Sequence, residues 1–389
     1  MRLCIVSETW TPEFNGVANT LCRLSHELAR QGVTIDLIRP KPRNTAVGQT
    51  GAIHTEHHVS RLPLPGYREV QIGLTTPAQM RRFLLSQRPD VVYLATQGPL
   101  GWAARQAALA LRIPLVAGWH TNFDHYCHSY GLGFLAKTTK RYLRYFHHGC
   151  ALTLVPTLAQ AKSLRGSGMS NVQVLTRGID GDTFSPERRD ASLRRLWGVN
   201  DHQPVALYVG RLAAEKNLAL LQETFHAMRS ARPDMAQIIV GDGPGRAQLQ
   251  KALPDAHFTG FLPPEALGRH YASADLFLFP SLSETWGNVV TEAMASGLAV
   301  VAYRHAASAE LIQSGHNGLT IPQGDSEGFR QAAVALCQRP ADYARFGRLA
   351  RLRALEQRWS GIARQLLTYL HQAQEAYHAP ASSYRIRSS

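Results

Sequence analysis

Short apolar runs alternate with amphipathic stretches through the first half of the chain. Residues 3–6, 34–38, 91–94, 115–117 and 152–155 are continuous enough to be buried strands, whereas Val17, Leu21, Leu24 and Leu28 recur at helical spacing. This alternation predicts a parallel sheet covered by helices on both faces. After Thr183-Phe184-Ser185-Pro186 and a charged patch the rhythm restarts, with strand-like runs at 205–209, 238–240, 257–259, 276–279 and 298–302. The expected fold is therefore α/β, with two doubly wound, Rossmann-like domains joined near residues 181–200. A last amphipathic helix is expected over 360–377, where Ile362, Leu366, Leu367 and Leu370 share one face, and a short polar tail, expected to be disordered, begins at Ala379.

Chemistry concentrates at the ends of the predicted strands. The run 276–279 stops at Pro280, and a helix is predicted from about Asn288, so Glu284 falls in the connecting loop and Glu292 in the helix's second turn. The backbone N–H groups of Asn288, Val289 and Val290 would open that helix, where free donors and the helix dipole favour an anion. Each carboxylate can accept hydrogen bonds from a pair of sugar hydroxyls. A nucleotide sugar has hydroxyl pairs at both ends and a diphosphate between them. By itself the spacing also suits two solvated residues on an ordinary connection. Arg211 and Lys216 follow the strand 205–209 and would emerge at the same sheet edge, where two cations could neutralise a diphosphate leaving group. In the first half, Gly16 stands before a predicted helix, open to close approach by phosphate, and His120 follows the strand 115–117. A glycine before a helix is usually a turn, and a histidine at a strand end is usually structural.

Composition narrows the class. The chain has 389 residues, enough for two domains, and no uninterrupted apolar run long enough to span a bilayer. Its N-terminus enters a strand directly, and its five cysteines are scattered with no Cys-x-x-Cys pair, so cytoplasmic residence with reduced thiols is expected. The net charge is +14, and it is lopsided: residues 1–200 hold 24 Lys and Arg against 12 Asp and Glu, the remainder 18 against 16. A basic half can serve nucleic acid, an anionic membrane or an acidic substrate. No recognition helix, zinc spacing or aromatic RNA motif supports nucleic acid, so none is expected as a partner. The stretch 137–148 carries cations at 137, 140, 141 and 144 beside Tyr142, Leu143, Tyr145 and Phe146. It suits either an anionic lipid surface or a helix packing its aromatics inward. Asp180-Gly181-Asp182 has the form of a metal motif but falls between domains, and Gly241-Asp242-Gly243-Pro244-Gly245 lacks the third glycine of a dinucleotide fingerprint.

The segment containing Glu284 and Glu292 resembles the Glu-x7-Glu motif of retaining glycosyltransferases with the GT-B fold, family 4. Gly210-Arg211-Leu212 with Glu215-Lys216-Asn217 is similar to that family's donor-phosphate motif, and Arg177-Gly178-Ile179-Asp180 with Phe184-Ser185-Pro186 to its linker. His120-Thr121-Asn122-Phe123 and Tyr130-Gly131-Leu132 look like the subgroup of bacterial mannosyl- and sulfoquinovosyl-transferases acting on diacylglycerol-type lipids. Where many relatives have two glycines, this chain has Asn15-Gly16.

The resemblance implies an acceptor domain over 1–182, a nucleotide-sugar domain over 183–360, a helix over 361–378 returning to the first domain, and a tail over 379–389, with a central cleft between domains. It implies that Glu284 contacts the transferred sugar, Glu292 the ribose, Arg211 and Lys216 the phosphates, and His120 the sugar's hydroxymethyl group. Domain closure would bring His120 and Gly16 onto the donor. Retention of anomeric configuration follows from the family. Neither a metal nor any cofactor beyond the nucleotide sugar itself is expected. GDP-mannose and UDP-glucose are both donors within the resemblance. A membrane glycolipid or diacylglycerol-type acceptor at the inner face of the plasma membrane is preferred over a surface polysaccharide or soluble glycoside. A nucleotide-sugar epimerase or a non-catalytic binding protein is the rival of another class.

Overall fold

The computed structural model describes residues 1–11, 16–42, 51–64, 67–120 and 136–378. The chain forms two compact units, Met1–Thr176 with the chain from Trp359 onward, and Arg177–Arg358.

The first unit is built on an eight-stranded sheet of β1 (Arg2–Val6), β2 (Thr34–Pro40), β3 (Thr55–Leu64), β4 (Tyr67–Leu74), β5 (Val91–Leu94), β6 (Leu115–Gly118), β7 (Leu152–Val155) and β8 (Val172–Val174). Their order is β4-β3-β2-β1-β5-β6-β7-β8. All neighbours run parallel except β3 and β4, which are antiparallel, so the expected parallel sheet ends in an unexpected hairpin. Pro63 fits there because β2 pairs only with Thr55–Val59, so the end of β3 has β4 alone as a neighbour, with a register irregularity at Pro63 and Leu64. Leu3–Val6 of β1 and the whole of β5 are buried, as double-sided cover requires.

The last helix, Trp359–His378, runs one residue further at each end than the pattern predicted. It buries Ile362, Ala363, Leu366, Leu370 and Ala373 in the first unit's core, with Leu21, Leu24 and Leu28 of the helix Gly16–Arg30. Tyr369 Oη donates to Val174 O at 3.1 Å, tying the same helix to the β8 edge.

In the second unit β9 (Val205–Val209), β10 (Ala236–Val240), β11 (His257–Gly260), β12 (Leu276–Phe279), β13 (Ala299–Tyr303) and β14 (Leu319–Ile321) form a sheet ordered β11-β10-β9-β12-β13-β14. All are parallel. This order reverses direction between β9 and β12, and open α/β sheets bind ligands outside the carboxyl ends of their strands at such a switch point. The first unit has its own reversal, between β1 and β5.

The first unit ends at Thr176, six residues before the boundary expected at 182, and resumes at Trp359, not 361. The cause is local pairing: Ile179 N donates to Gln357 O at 2.8 Å, and Ile179 bridges Arg358, which fastens 177–182 to the second unit. Asp180 is spent on this turn, accepting from the backbone N–H groups of Asp182 and Thr183 and from Thr183 Oγ1. The tail 379–389 lies outside the described residues.

Candidate active site

The loops after β9 and β12 meet at the second unit's switch point. After β9 the chain makes a short 3-10 turn, Ala214–Lys216, and Asn217 takes a left-handed conformation (φ 55°) before the helix Leu218–Ala231. Leu282 N donates to Glu215 O at 2.9 Å, which stitches the two loops through backbone. Two further loops reinforce the junction: His305 Nε2 bonds Ser281 O at 2.6 Å, and Gln323 Nε2 donates to Leu282 O at 2.6 Å.

On this frame Lys216 Nζ donates directly to Glu284 Oε1, which also accepts from Ser281 Oγ at 2.8 Å. Both side chains are largely buried, and the ammonium stands 5.6 Å from the centroid of the Phe279 ring. Arg211 remains half exposed and pairs with Glu215 one turn on. The two expected phosphate-binding cations are thus each matched with a carboxylate here.

Gly287 starts the helix Asn288–Ala295 from a left-handed conformation (φ 87°), and no side chain caps that helix. The N–H groups of Asn288 and Val289 therefore have no partner within the helix. Val290 N bonds back to Gly287 O at 3.0 Å. Glu292, four residues into the helix, accepts from Tyr271 Oη at 3.1 Å, and the same hydroxyl lies 3.3 Å from Val289 O. Burial pushes the Glu292 carboxyl up to about 7, and the Tyr271 bond opposes this only in part. Lys216 and Glu284 stand on two adjoining loops, and Asn288, Val289, Val290 and Glu292 on the helix that follows the second: a cation and the N–H donors of Asn288 and Val289 suited to an anion, and two carboxylates suited to hydroxyl pairs.

The glycines of 241–245 serve packing. Gly241 (φ 133°) lies so close to the loop after β9 that a Cβ on it would meet Gly210 O at 2.0 Å. Leu212 N donates to Asp242 O and Gly245 N to Leu212 O, both at 2.8 Å. These glycines let the loops after β9 and β10 pack backbone to backbone.

In the first unit Gly16 is exposed at the start of the helix Gly16–Arg30. The loop 12–15 before it, and the segment 121–135 containing Asn122, Phe123 and Tyr130, lie outside the described residues. His120 is buried just beyond β6, its Nε2 3.0 Å from Tyr93 Oη. Glu8, beyond β1, accepts from Leu100 N at 3.1 Å at the start of the helix Pro99–Ala110, and burial pushes its carboxyl up to about 7. The sequence pattern singled out neither Glu8, Tyr93, Ser281 nor Tyr271. A polar residue one to three positions past a strand would have flagged Glu8 and Ser281.

The basic helix, Ala136–His148, has the inward apolar face of the second reading. Leu143, Phe146 and His147 point inward, while Lys140, Arg141, Arg144 and Tyr145 are exposed. His147 is held far below the usual histidine range by burial and the nearby Arg105 cation, at about 3, so it is neutral.

Two doubly wound sheets in one chain fit the GT-B class of sugar-transferring enzymes, and comparison with known proteins agrees. Residues 14–183 match the profile of Glycosyltransferase Family 4, and 203–339 that of Glycosyl transferases group 1. A GDP-mannose-dependent alpha-mannosyltransferase of Mycolicibacterium smegmatis is 35% identical over 94% of this chain and 96% of its own length. The sulfoquinovosyl transferase SQD2 of Arabidopsis thaliana is 33% identical over 68% of this chain and 53% of its own. The alpha-monoglucosyldiacylglycerol synthase of Acholeplasma laidlawii is 26% identical over 82% and 84%. Among solved structures, sucrose-phosphate synthase from Thermosynechococcus elongatus shares the fold, with a TM-score of 0.78 at 18% identity over 96% of this chain and 99% of its own. The chain belongs to glycosyltransferase family 4.

Proposed function

We propose that the protein transfers mannose from GDP-mannose to a diacylglycerol-type glycolipid, with retention of anomeric configuration and without a metal. The observation that carries this reading is the pairing of Lys216 with Glu284 beside the uncapped N-terminus of the helix Asn288–Ala295. The free helix N–H groups of Asn288 and Val289 and the cations of Arg211 and Lys216 would hold the diphosphate. Glu292 would take the ribose hydroxyls, and Glu284 those of the hexose. His120 would contact the hexose, and Gly16 would leave room for a phosphate. The mannosyl and diacylglycerol-modifying relatives support the choice of donor and acceptor.

In the reaction the bond from the anomeric carbon to the diphosphate oxygen breaks as the acceptor hydroxyl forms the new glycosidic bond on the same face. The hydroxyl proton passes to the departing phosphate oxygen. Charge grows on that oxygen as the bond breaks, so cations and N–H donors fixed in advance stabilise the transition state more than the ground state. The same fixed charges make a divalent ion unnecessary in this reading. The exposed cations of Ala136–His148, with Tyr145, would seat the protein on an anionic membrane.

The test is incubation of the purified protein with labelled GDP-mannose, UDP-glucose and other nucleotide sugars, EDTA, and vesicles containing diacylglycerol and glycosyl-diacylglycerol. Label entering the lipid from GDP-mannose is expected. Binding of the nucleotide sugar with no acceptor-dependent product would instead favour a silent sugar-binding relative.

A further inference from the structure

We propose that Tyr93 is the positioning residue for His120, its hydroxyl holding the imidazole in place through Nε2. The role of His120 toward the hexose is taken from the functional reading above; the pairing itself is a property of the first unit alone.

Tyr93 lies within β5, whose register places it beside Val116 of the neighbouring β6. His120 follows β6 by two residues, and the hydroxyl of one reaches Nε2 of the other at 3.0 Å. Both side chains are sequestered, at 2% and 6% exposure, so water cannot substitute for either partner. The rings meet edge to face, with centroids 6.2 Å apart and planes 66° apart.

Tyr93 has little freedom to follow a moving imidazole. Its ring belongs to the core formed with Ile5, Val116, Leu154 and the C-terminal helix residues Ile362 and Leu366. The hydroxyl is thus a fixed point supplied by the packed sheet, and a hydrogen bond between it and Nε2 restrains the imidazole.

The backbone leaves room for this pair and no more. A Cβ on Gly118 would stand 2.3 Å from His120 Nε2 and 2.3 Å from Tyr93 Oη. The Gly118 carbonyl is itself anchored, accepting from Gln97 Nε2 at 2.8 Å, and the next residue, Trp119, donates its N–H to Leu154 O at 2.8 Å. The segment that carries His120 is therefore held before the imidazole is. An ordinary core tyrosine needs only some partner for its hydroxyl; here the partner is the histidine assigned to the sugar.

The experiment pairs kinetics with NMR of the full-length protein labelled with 15N-histidine, the His120 ring signals being assigned by their loss in His120→Ala. Tyr93→Phe removes one oxygen and keeps the packed ring. It should leave GDP affinity and thermal stability near those of the parent, lower kcat for transfer from GDP-mannose about tenfold, and leave the donor KM unchanged. Its His120 Nε2 signal should move as the hydrogen bond is lost. Gly118→Ala should reproduce that NMR change with both partners present. In a His120→Ala background, Tyr93→Phe should cost nothing further. Parent-like kcat with an unchanged Nε2 signal, or the same loss whether or not His120 is present, would overturn the proposal. Should the parent protein transfer nothing from GDP-mannose, the functional reading fails, and the ring signals alone decide on Tyr93: a displaced Nε2 signal in Tyr93→Phe supports it and an unchanged one overturns it.

Discussion

Lys216 and Glu284, 68 residues apart in the chain, are in direct contact across the point where the second sheet reverses direction. The ammonium that would neutralise a leaving diphosphate is thus held by the carboxylate that would bind the sugar. The carboxylate therefore competes with phosphate for the lysine. Glu284→Gln removes that competitor and keeps the shape. GDP should bind the variant at least as tightly as the parent, by calorimetry, while transfer falls on the order of 100-fold. Weaker GDP binding would mean that Glu284 supports the nucleotide and not the sugar.

Glu292 makes the protein's stability depend on pH in a definite direction. Its carboxyl is raised by burial to about 7, against about 4.3 for a free glutamate. Between those values the folded form keeps a proton that the unfolded chain has released, so this group's contribution to stability falls as pH rises through the window. Glu292→Gln escapes that loss. Its melting temperature relative to the parent should therefore climb between about pH 5 and about pH 8, although the variant should have a higher KM for the nucleotide sugar. A melting difference independent of pH would contradict the raised value.

Gly241 tests whether the glycine run serves loop packing. At φ 133°, with Gly210 O 2.0 Å from the position of an added Cβ, Gly241→Ala should destabilise the second unit by more than about 2 kcal/mol in urea. An unchanged midpoint would refute the close packing of these loops.

Leu370 is fully buried between the returning helix and the first sheet. Leu370→Ala should cost about 2 to 5 kcal/mol, measured by urea unfolding, because the cavity opens in a core that cannot collapse around it. A cost below about 1 kcal/mol would show that the helix is only loosely docked.

The exposed cations Lys140, Arg141 and Arg144 predict attachment to anionic vesicles. Replacing all three by alanine should weaken binding to phosphatidylglycerol vesicles on the order of 100-fold, and salt should weaken the parent's binding in the same way. Equal sedimentation of both proteins with the vesicles would move the membrane-facing surface elsewhere.

The strands buried on both faces were legible because a short, uninterrupted apolar run bounded by polar residues suits a central strand of a covered sheet. The hairpin β3–β4 was not: His57, His58 and Pro63, all exposed, break the apolar signal of β3. At the site, Arg211, Lys216, Glu284 and Glu292 stood out because each follows a strand or opens a helix at the carboxyl edge. Their partners did not. Tyr271 reaches Glu292 from a helix 21 residues earlier, and Tyr93 reaches His120 from a neighbouring strand, so both contacts exist only once the sheets are packed. The boundary at Thr176 was hidden for the same reason, being set by the pairing of Ile179 with residues near 358.

The most direct test of leaving-group stabilisation by Lys216 is transfer of label from GDP-mannose to vesicle glycolipid by the parent and by Lys216→Met, which keeps the length of the side chain and removes its charge. Lipid labelling by the parent in EDTA is predicted, with a loss on the order of 100-fold or more in the variant, as for a lost leaving-group contact, at similar thermal stability. Equal transfer by the two proteins would contradict it.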